Sequence, residues 1–230
     1  MRYLVLATDY DGTLATDGLV SQEAVLALER LRASGRRLIL VTGREVPDLL
    51  RVLGPMDLLF DCIVAENGAV VYWPASHDTK ILSERPPDQF VRALRERRVE
   101  PLSVGAVVVA TSTSNDTTVL EVIEDLGLEL QLIFNKGSLM VLPSGVNKAT
   151  GLAAALAGMG VSPHSVVGIG DAENDQALLS FCGFGVAVAN AVPFLRERAD
   201  LVTQAADGAG VAELAARLLA TDLAGLARHT

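Results

Sequence analysis

Apolar residues gather in short continuous blocks separated by amphipathic stretches, and the order of these blocks predicts the architecture. Residues 3–7 (YLVLA) read as a buried strand, followed by an amphipathic helix over 21–35 with Ser21 as its cap and Gly35 as its stop. A second apolar strand runs over 37–43, a helix over 45–54 with Pro47 in its first turn, and a strand over 62–73 broken at Glu66-Asn67-Gly68. That break predicts a hairpin turn. After residue 146 the same grammar returns: helix 147–160, strand 165–171, helix 173–181, strand 184–190, a short helix, strand 200–203 and helix 210–221. Continuous apolar strands separated by helices predict a parallel sheet covered on both faces, a doubly wound, Rossmann-like α/β core.

Between 81 and 145 the rhythm changes. Helices at 87–99 and 115–127 alternate with strands at 102–112, 128–134 and 138–143, and the last two are joined by Asn-Lys-Gly at 135–137. The segment predicts a small α+β unit, partly antiparallel. The expected division is a core of 1–80 with 146–230, and an inserted unit of 81–145.

With 230 residues, half of them hydrophobic, the chain can bury a large core and is no disordered polymer. Its longest apolar run, 151–161, is too short and too rich in Gly and Ala to span a bilayer, and the N-terminus does not read as a signal peptide. Cys62 and Cys182 sit in apolar surroundings without C-x-x-C spacing and read as buried, reduced thiols. The expected location is the cytoplasm. The formal charge of −9 and the lack of any basic run beyond 34–38 and 94–100 exclude nucleic acid as a partner. A small anionic substrate needs a bound cation or a local positive field to receive it.

Chemistry belongs at the carboxyl ends of the strands of a parallel sheet. The first strand ends in Asp9, Asp11 and Gly12, and the second in Thr42, Gly43 and Arg44. Lys148 opens the helix after the inserted unit, and the strand at 165–170 ends in Asp171, Asn174 and Asp175. Side chains alternate with period two along a strand, so Asp9 and Asp11 are expected to face one way. Two carboxylates 4 Å apart repel by roughly 4 kcal/mol at an effective dielectric near 20. With Asp171 and Asp175 added, the set calls for a hard cation, and Mg²⁺ suits oxygen ligands shared with a phosphate. Thr42, the amides around Gly12 and Gly43, and Lys148 supply donors and positive charge. Together these describe a phosphoryl-transfer site.

These stretches resemble the four motifs of the haloacid dehalogenase superfamily of phosphatases: DYDGTL (9–14), LVTGR (40–44), NKATGL (147–152) and GIGDAENDQALL (168–179). No motif position departs from the pattern, and the resemblance covers essentially the whole chain. An insertion between the second and third motifs, with AENGAVVY (65–72), resembles the Cof-like branch. In size the insertion is similar to that of the archaeal-type phosphoglycolate phosphatases.

The resemblance implies that Asp9 is the nucleophile and Asp11 the general acid and base. It implies that Thr42 and Lys148 hold the phosphoryl oxygens and that Asp171 ligates Mg²⁺ with Asp9 and the Asp11 carbonyl. Asp175 is either a ligand or a support for one. Gly12, Gly43 and Asn174 are implied at the phosphate, and Arg44, Asn67, Asn135 and Lys136 are candidates for contact with the leaving group. Asn135 and Lys136 read equally well as turn residues, and Arg44 as a surface charge. The implied activity is hydrolysis of phosphoglycolate or a sugar phosphate, with a phosphomutase or a non-catalytic binding subunit as the alternatives. His77, His164 and His229 are assigned no role.

Overall fold

The computed structural model describes residues 1–227 and turns the apolar blocks into the strands of one large sheet. The first half comprises β1 (Val5–Thr8), β2 (Ala15–Thr16), β3 (Leu19–Val20), α1 (Gln22–Ala33), β4 (Arg37–Val41), α2 (Val46–Leu53), β5 (Cys62–Ala65), β6 (Val70–Trp73) and β7 (Asp78–Ile81). Then come α3 (Asp88–Glu96), β8 (Leu102–Val104), β9 (Val109–Ser112), α4 (Asp116–Asp125), β10 (Leu130–Asn135) and β11 (Ser138–Pro143). The last part holds α5 (Lys148–Met159), β12 (Val166–Gly170), α6 (Gln176–Phe181), β13 (Phe184–Ala187), α7 (Pro193–Arg196), β14 (Leu201–Val202) and α8 (Asp207–Thr221).

The large sheet has the order β14-β13-β12-β1-β4-β5-β6-β7. It is parallel from β14 to β5, and β6 and β7 add antiparallel strands at one edge. Every residue of β1, β5 and β12 is buried, as a sheet covered on both faces requires. Helix α1 packs against α8, and α5 against α6. The α1 start is set by Ser21, whose hydroxyl accepts from Ala24 N–H at 3.2 Å.

A second sheet, β10-β11-β9-β8, is antiparallel and carries α3 and α4 with a small core of its own around Phe90, Leu94, Val119 and Val141. The two cores are not fully separate. Val107, Val108, Met140 and Leu142 from this part of the chain belong to the main core.

Three local features differ from the sequence reading. The expected strand over 102–112 is two strands, β8 and β9, turning at Gly105–Val108, where Gly105 N–H donates to Val108 O at 2.8 Å. Strand β7 was not expected because all four of its residues are exposed, leaving no apolar signal; a charged edge strand of this kind discourages edge-to-edge pairing. The hairpin of β2 and β3 was also not expected, although its turn carries an Asp-Gly pair, Asp17 and Gly18, both at positive φ.

Candidate active site

Asp9 leaves β1 still in register with the sheet, its N–H donating to Ile169 O at 3.0 Å. The next carbonyl ends that register. Tyr10 O accepts from the N–H groups of Leu14 and Ala15 at 3.0 and 2.8 Å, which folds 10–15 into a tight turn. The regular β1 backbone stops there. The Asp11 carboxylate receives Arg44 Nε and Nη2, each at 2.7 Å, while Arg44 Nη1 reaches Asp48 at 3.0 Å. The Asp11 hydrogen bonds hold the Arg44 guanidinium firmly protonated. Arg44, expected at the substrate, is therefore committed to two carboxylates, and Asp11 is not part of the acidic cluster.

Lys148 was expected on chemical grounds, and its burial is a finding of the structure. Asn147 caps α5 by accepting from Ala149 and Thr150 N–H at 3.0 and 3.1 Å, and Thr150 Oγ1 accepts from Asn147 N–H. The helix start then presses on the turn between β5 and β6. A Cβ on Gly68 would sit 1.9 Å from Asn147 O, so only glycine permits this approach. Lys148 enters the site 1% exposed, with Nζ 2.6 Å from Asp9 Oδ1 and 2.6 Å from Asp175 Oδ1. The other oxygen of Asp175 accepts from Asp171 and Ala172 N–H, both at 3.0 Å.

Asp9, Asp171 and Asp175 bring carboxylate oxygens within 4.8 Å of one another. Asp171 Oδ1 accepts from Thr13 Oγ1 at 2.8 Å, and its Oδ2 accepts from Lys136, which reaches in from the turn between β10 and β11. Burial pushes Asp9 well above the usual carboxylate range, with Asp175 adding to the effect and Lys148 offsetting only part of it. Burial raises Asp171 as well, with Lys136 and Thr13 opposing. Burial disfavours the Lys148 ammonium, but Asp175 and Asp9 outweigh it and hold Lys148 above the ordinary lysine range. Lys148 serves Asp9 and Asp175, and the half-exposed Lys136 serves Asp171, so three buried carboxylates face two ammonium groups and negative charge is in excess. An oxygen-only donor set with excess charge, already drawing in a side-chain ammonium, fits a hard divalent cation.

Thr42 is buried at the end of β4, and its hydroxyl oxygen accepts from Arg44 N–H at 3.1 Å. The Gly12 N–H is already used, on Ala15 O at 2.8 Å, and is not the phosphate donor expected of it. The Gly12 Cα lies against Asp171, whose carboxylate a Cβ would meet at 2.5 Å, and Gly43 lies against Met140 Sδ. Asn174 Nδ2 donates to Asn67 Oδ1 at 3.0 Å, which leaves Asn67 Nδ2 and Asn174 Oδ1 buried without a partner. Asn135 serves the turn, paired with Ser138. His77 bonds the Tyr72 hydroxyl, and His164 sits in the turn before β12; neither is at the site, and His229 lies outside the described residues. Thr13 and Glu66 carry no separate signal in the sequence. The first is hidden inside a motif, and the second reads only as part of a turn.

A family model described as haloacid dehalogenase-like hydrolase matches residues 6–114 and 131–214. The chain belongs to this family. This haloacid dehalogenase-like hydrolase is 32% identical over 226 residues to a phosphoglycolate phosphatase of Methanothermobacter thermautotrophicus, covering 93% of this chain and 98% of that one. It is 32% identical over 238 residues to a phosphoglycolate phosphatase of Methanopyrus kandleri, covering 95% and 98%. Among solved structures, a haloacid dehalogenase-like hydrolase from Bacteroides thetaiotaomicron superposes with a TM-score of 0.80 at 21% identity, over 94% of this chain and 99% of that one. No helix among the described residues is long and apolar enough to cross a membrane.

Proposed function

We propose that this hydrolase is a Mg²⁺-dependent phosphatase for a small phosphorylated metabolite, with phosphoglycolate favoured over a sugar phosphate. The observation that carries the reading is the Lys148 bridge between Asp9 and Asp175, buried beside Asp171 at the strand ends. Asp9 is the nucleophile: its free oxygen bonds to phosphorus as the bond to the leaving oxygen breaks, giving an aspartyl phosphate. Lys148 orients the Asp9 carboxylate and, with the Thr42 hydroxyl, neutralises the phosphoryl oxygens. Asp11 is the acid and base: in its protonated form it gives its proton to the leaving oxygen, and as the carboxylate that Arg44 holds it then takes one from the water that hydrolyses the intermediate.

Mg²⁺ would be held by Asp9, Asp171 and the Asp11 carbonyl, and when bound it supplies charge neutralisation at the phosphoryl group. Asp175 has both oxygens engaged by Lys148 and two N–H groups, so it acts as the support that orients Lys148 and the 171–172 loop. Asn67 and Asn174 hold a buried, unpartnered amide donor and acceptor for the ligand.

Residues 81–145 act as a cap. A cavity of about 340 Å³, whose lining includes Gly43, Arg44, Glu45, Asp48, Ser103 and Val108, lies between this segment and the core beside Arg44. Arg44 and Lys148 are paired with carboxylates they orient, whereas Lys136 would be freed from Asp171 by a bound cation and would then offer a positive charge to a carboxylate on the leaving group. Similarity over nearly full length to two phosphoglycolate phosphatases supports the same choice. The buried cysteines, Cys62 and Cys182, neither of them in a disulfide, suit the reducing cytoplasm.

The test is phosphate release from phosphoglycolate, hexose phosphates, sucrose phosphate, mannosylphosphoglycerate and nucleotides, with Mg²⁺ and with EDTA. Mg²⁺-dependent release from phosphoglycolate well above the rest is the expected result. Release from none, including an aryl phosphate, would overturn the reading.

A further inference from the structure

Glu66 opens the turn between β5 and β6 at φ +49°, in the left-handed region that side chains other than Asn and Asp rarely adopt. Two backbone bonds hold it there: Glu66 N–H to Arg44 O at 3.0 Å and Asn67 N–H to Thr42 O at 2.9 Å. The side chain is 2% exposed and crosses from the main sheet to the turn between β8 and β9. Its Oε1 accepts from Ala106 N–H at 2.9 Å, and Oε2 accepts from Val107 and Val108 N–H at 2.7 and 2.8 Å. Among the described residues no cation pairs with it. A carboxylate buried without a cation persists only where donors satisfy it, and here three successive backbone N–H groups form the concave nest that binds anions. Gly105 completes the fit, since a Cβ there would meet Glu66 Oε2 at 2.8 Å.

A simple hairpin turn needs none of this. The same four-residue stretch touches the backbone of Thr42 and Arg44, bonds Asn174 through Asn67, and seats α5 beneath Gly68. Whatever grips the 105–108 turn therefore fixes the inserted unit relative to the groups proposed to hold phosphate. We propose that Glu66 is a positioning residue: its carboxylate docks the 105–108 turn onto the core and so sets where the inserted unit, with Lys136, stands over the site.

Two readouts test the dock. Amide hydrogen exchange needs no activity. Glu66→Ala should raise exchange at Ala106, Val107 and Val108 by roughly 10- to 100-fold, the scale of losing charge-assisted hydrogen bonds, and leave β1, β4 and β12 protected. The kinetic readout rests on the phosphatase reading. Misplacing a positioning wall costs about 100-fold in kcat/KM, and this loss is expected for phosphoglycolate. With p-nitrophenyl phosphate, whose leaving group needs no help from the inserted unit, the loss should stay within about threefold on the same argument.

Gly105→Ala approaches from the other side, pushing the carboxylate out with Glu66 intact, and carries the test if Glu66→Ala fails to fold. It should reproduce both effects. Unchanged exchange at 106–108 in either folded variant, or equal losses for the two esters, would overturn the proposal. If the unmodified protein hydrolyses neither ester with Mg²⁺, the phosphatase reading falls, and the exchange comparison still decides the dock.

Discussion

Lys148 Nζ stands 2.6 Å from Asp9 Oδ1 in a site where both side chains are almost wholly shielded from water. A lysine this deeply buried exists because the carboxylates around it are buried too, and each side depends on the other. Asp9→Asn changes the nucleophile with almost no change of shape. Turnover should fall below detection in a phosphate-release assay, with the circular dichroism spectrum unchanged.

Lys148→Met should act on the fold as well as on the chemistry. It leaves Asp9 and Asp175 buried without their cation, and removing one partner of a buried pair costs about 3–5 kcal/mol. Thermal unfolding in EDTA should show a large fall in Tm, and Mg²⁺ should restore part of it by replacing the lost charge.

The acidic cluster predicts a pH dependence. The folded-state pKa values of Asp9 and Asp171 are raised, chiefly by burial, so the folded protein keeps protons that the unfolded chain has lost above about pH 4. Where the folded state binds more protons, stability falls as pH rises. The metal-free protein should therefore lose stability on passing upward from pH 4. A bound divalent cation removes that penalty, so the Tm gain from Mg²⁺ should be larger at pH 7 than at pH 5. A gain independent of pH would contradict the assignment.

Arg44 presents a fork that matches the Asp11 carboxylate. Lysine keeps the charge but cannot bond both oxygens in this plane. Arg44→Lys should lower kcat by roughly 10- to 100-fold, a part of the about 10²–10⁴-fold that general acid–base assistance supplies, and displace the pH–rate profile while leaving stability near that of the native protein. Kinetics from pH 5 to 9 check this.

Lys136→Met should separate substrates. The loss in kcat/KM for phosphoglycolate should be about tenfold or more, on the scale of one charge-assisted contact, with little change for an aryl phosphate lacking a carboxylate. Equal losses would remove Lys136 as a selector of leaving groups.

The two cysteines give a test of burial alone. Burial, with Asp61 nearby, pushes the Cys62 thiol up to about 12, and Cys182 is buried as well. Neither should react with a disulfide reagent at pH 8 in the native protein. Both should titrate after unfolding in guanidinium.

Much of this molecule is written in local pattern. Apolar runs of strand length, helix caps such as Ser21 and Asn147, and polar residues at strand ends depend only on neighbours a few positions away. That Asp9, Lys148, Asp171 and Asp175 come together could be read from sequence because α/β sheets gather their strand ends on one side. Tertiary structure decided the partnerships. Asp11 meets Arg44 across 33 residues because β4 is laid beside β1. Asp171 meets Thr13 across 158 residues because β12 is laid beside β1. Glu66 reads as one more turn residue until the β8–β9 turn arrives with three N–H donors. Periodicity is a property of the chain and survives in the sequence. Which charge finds which partner is a property of the packed sheet order, and only folding sets it.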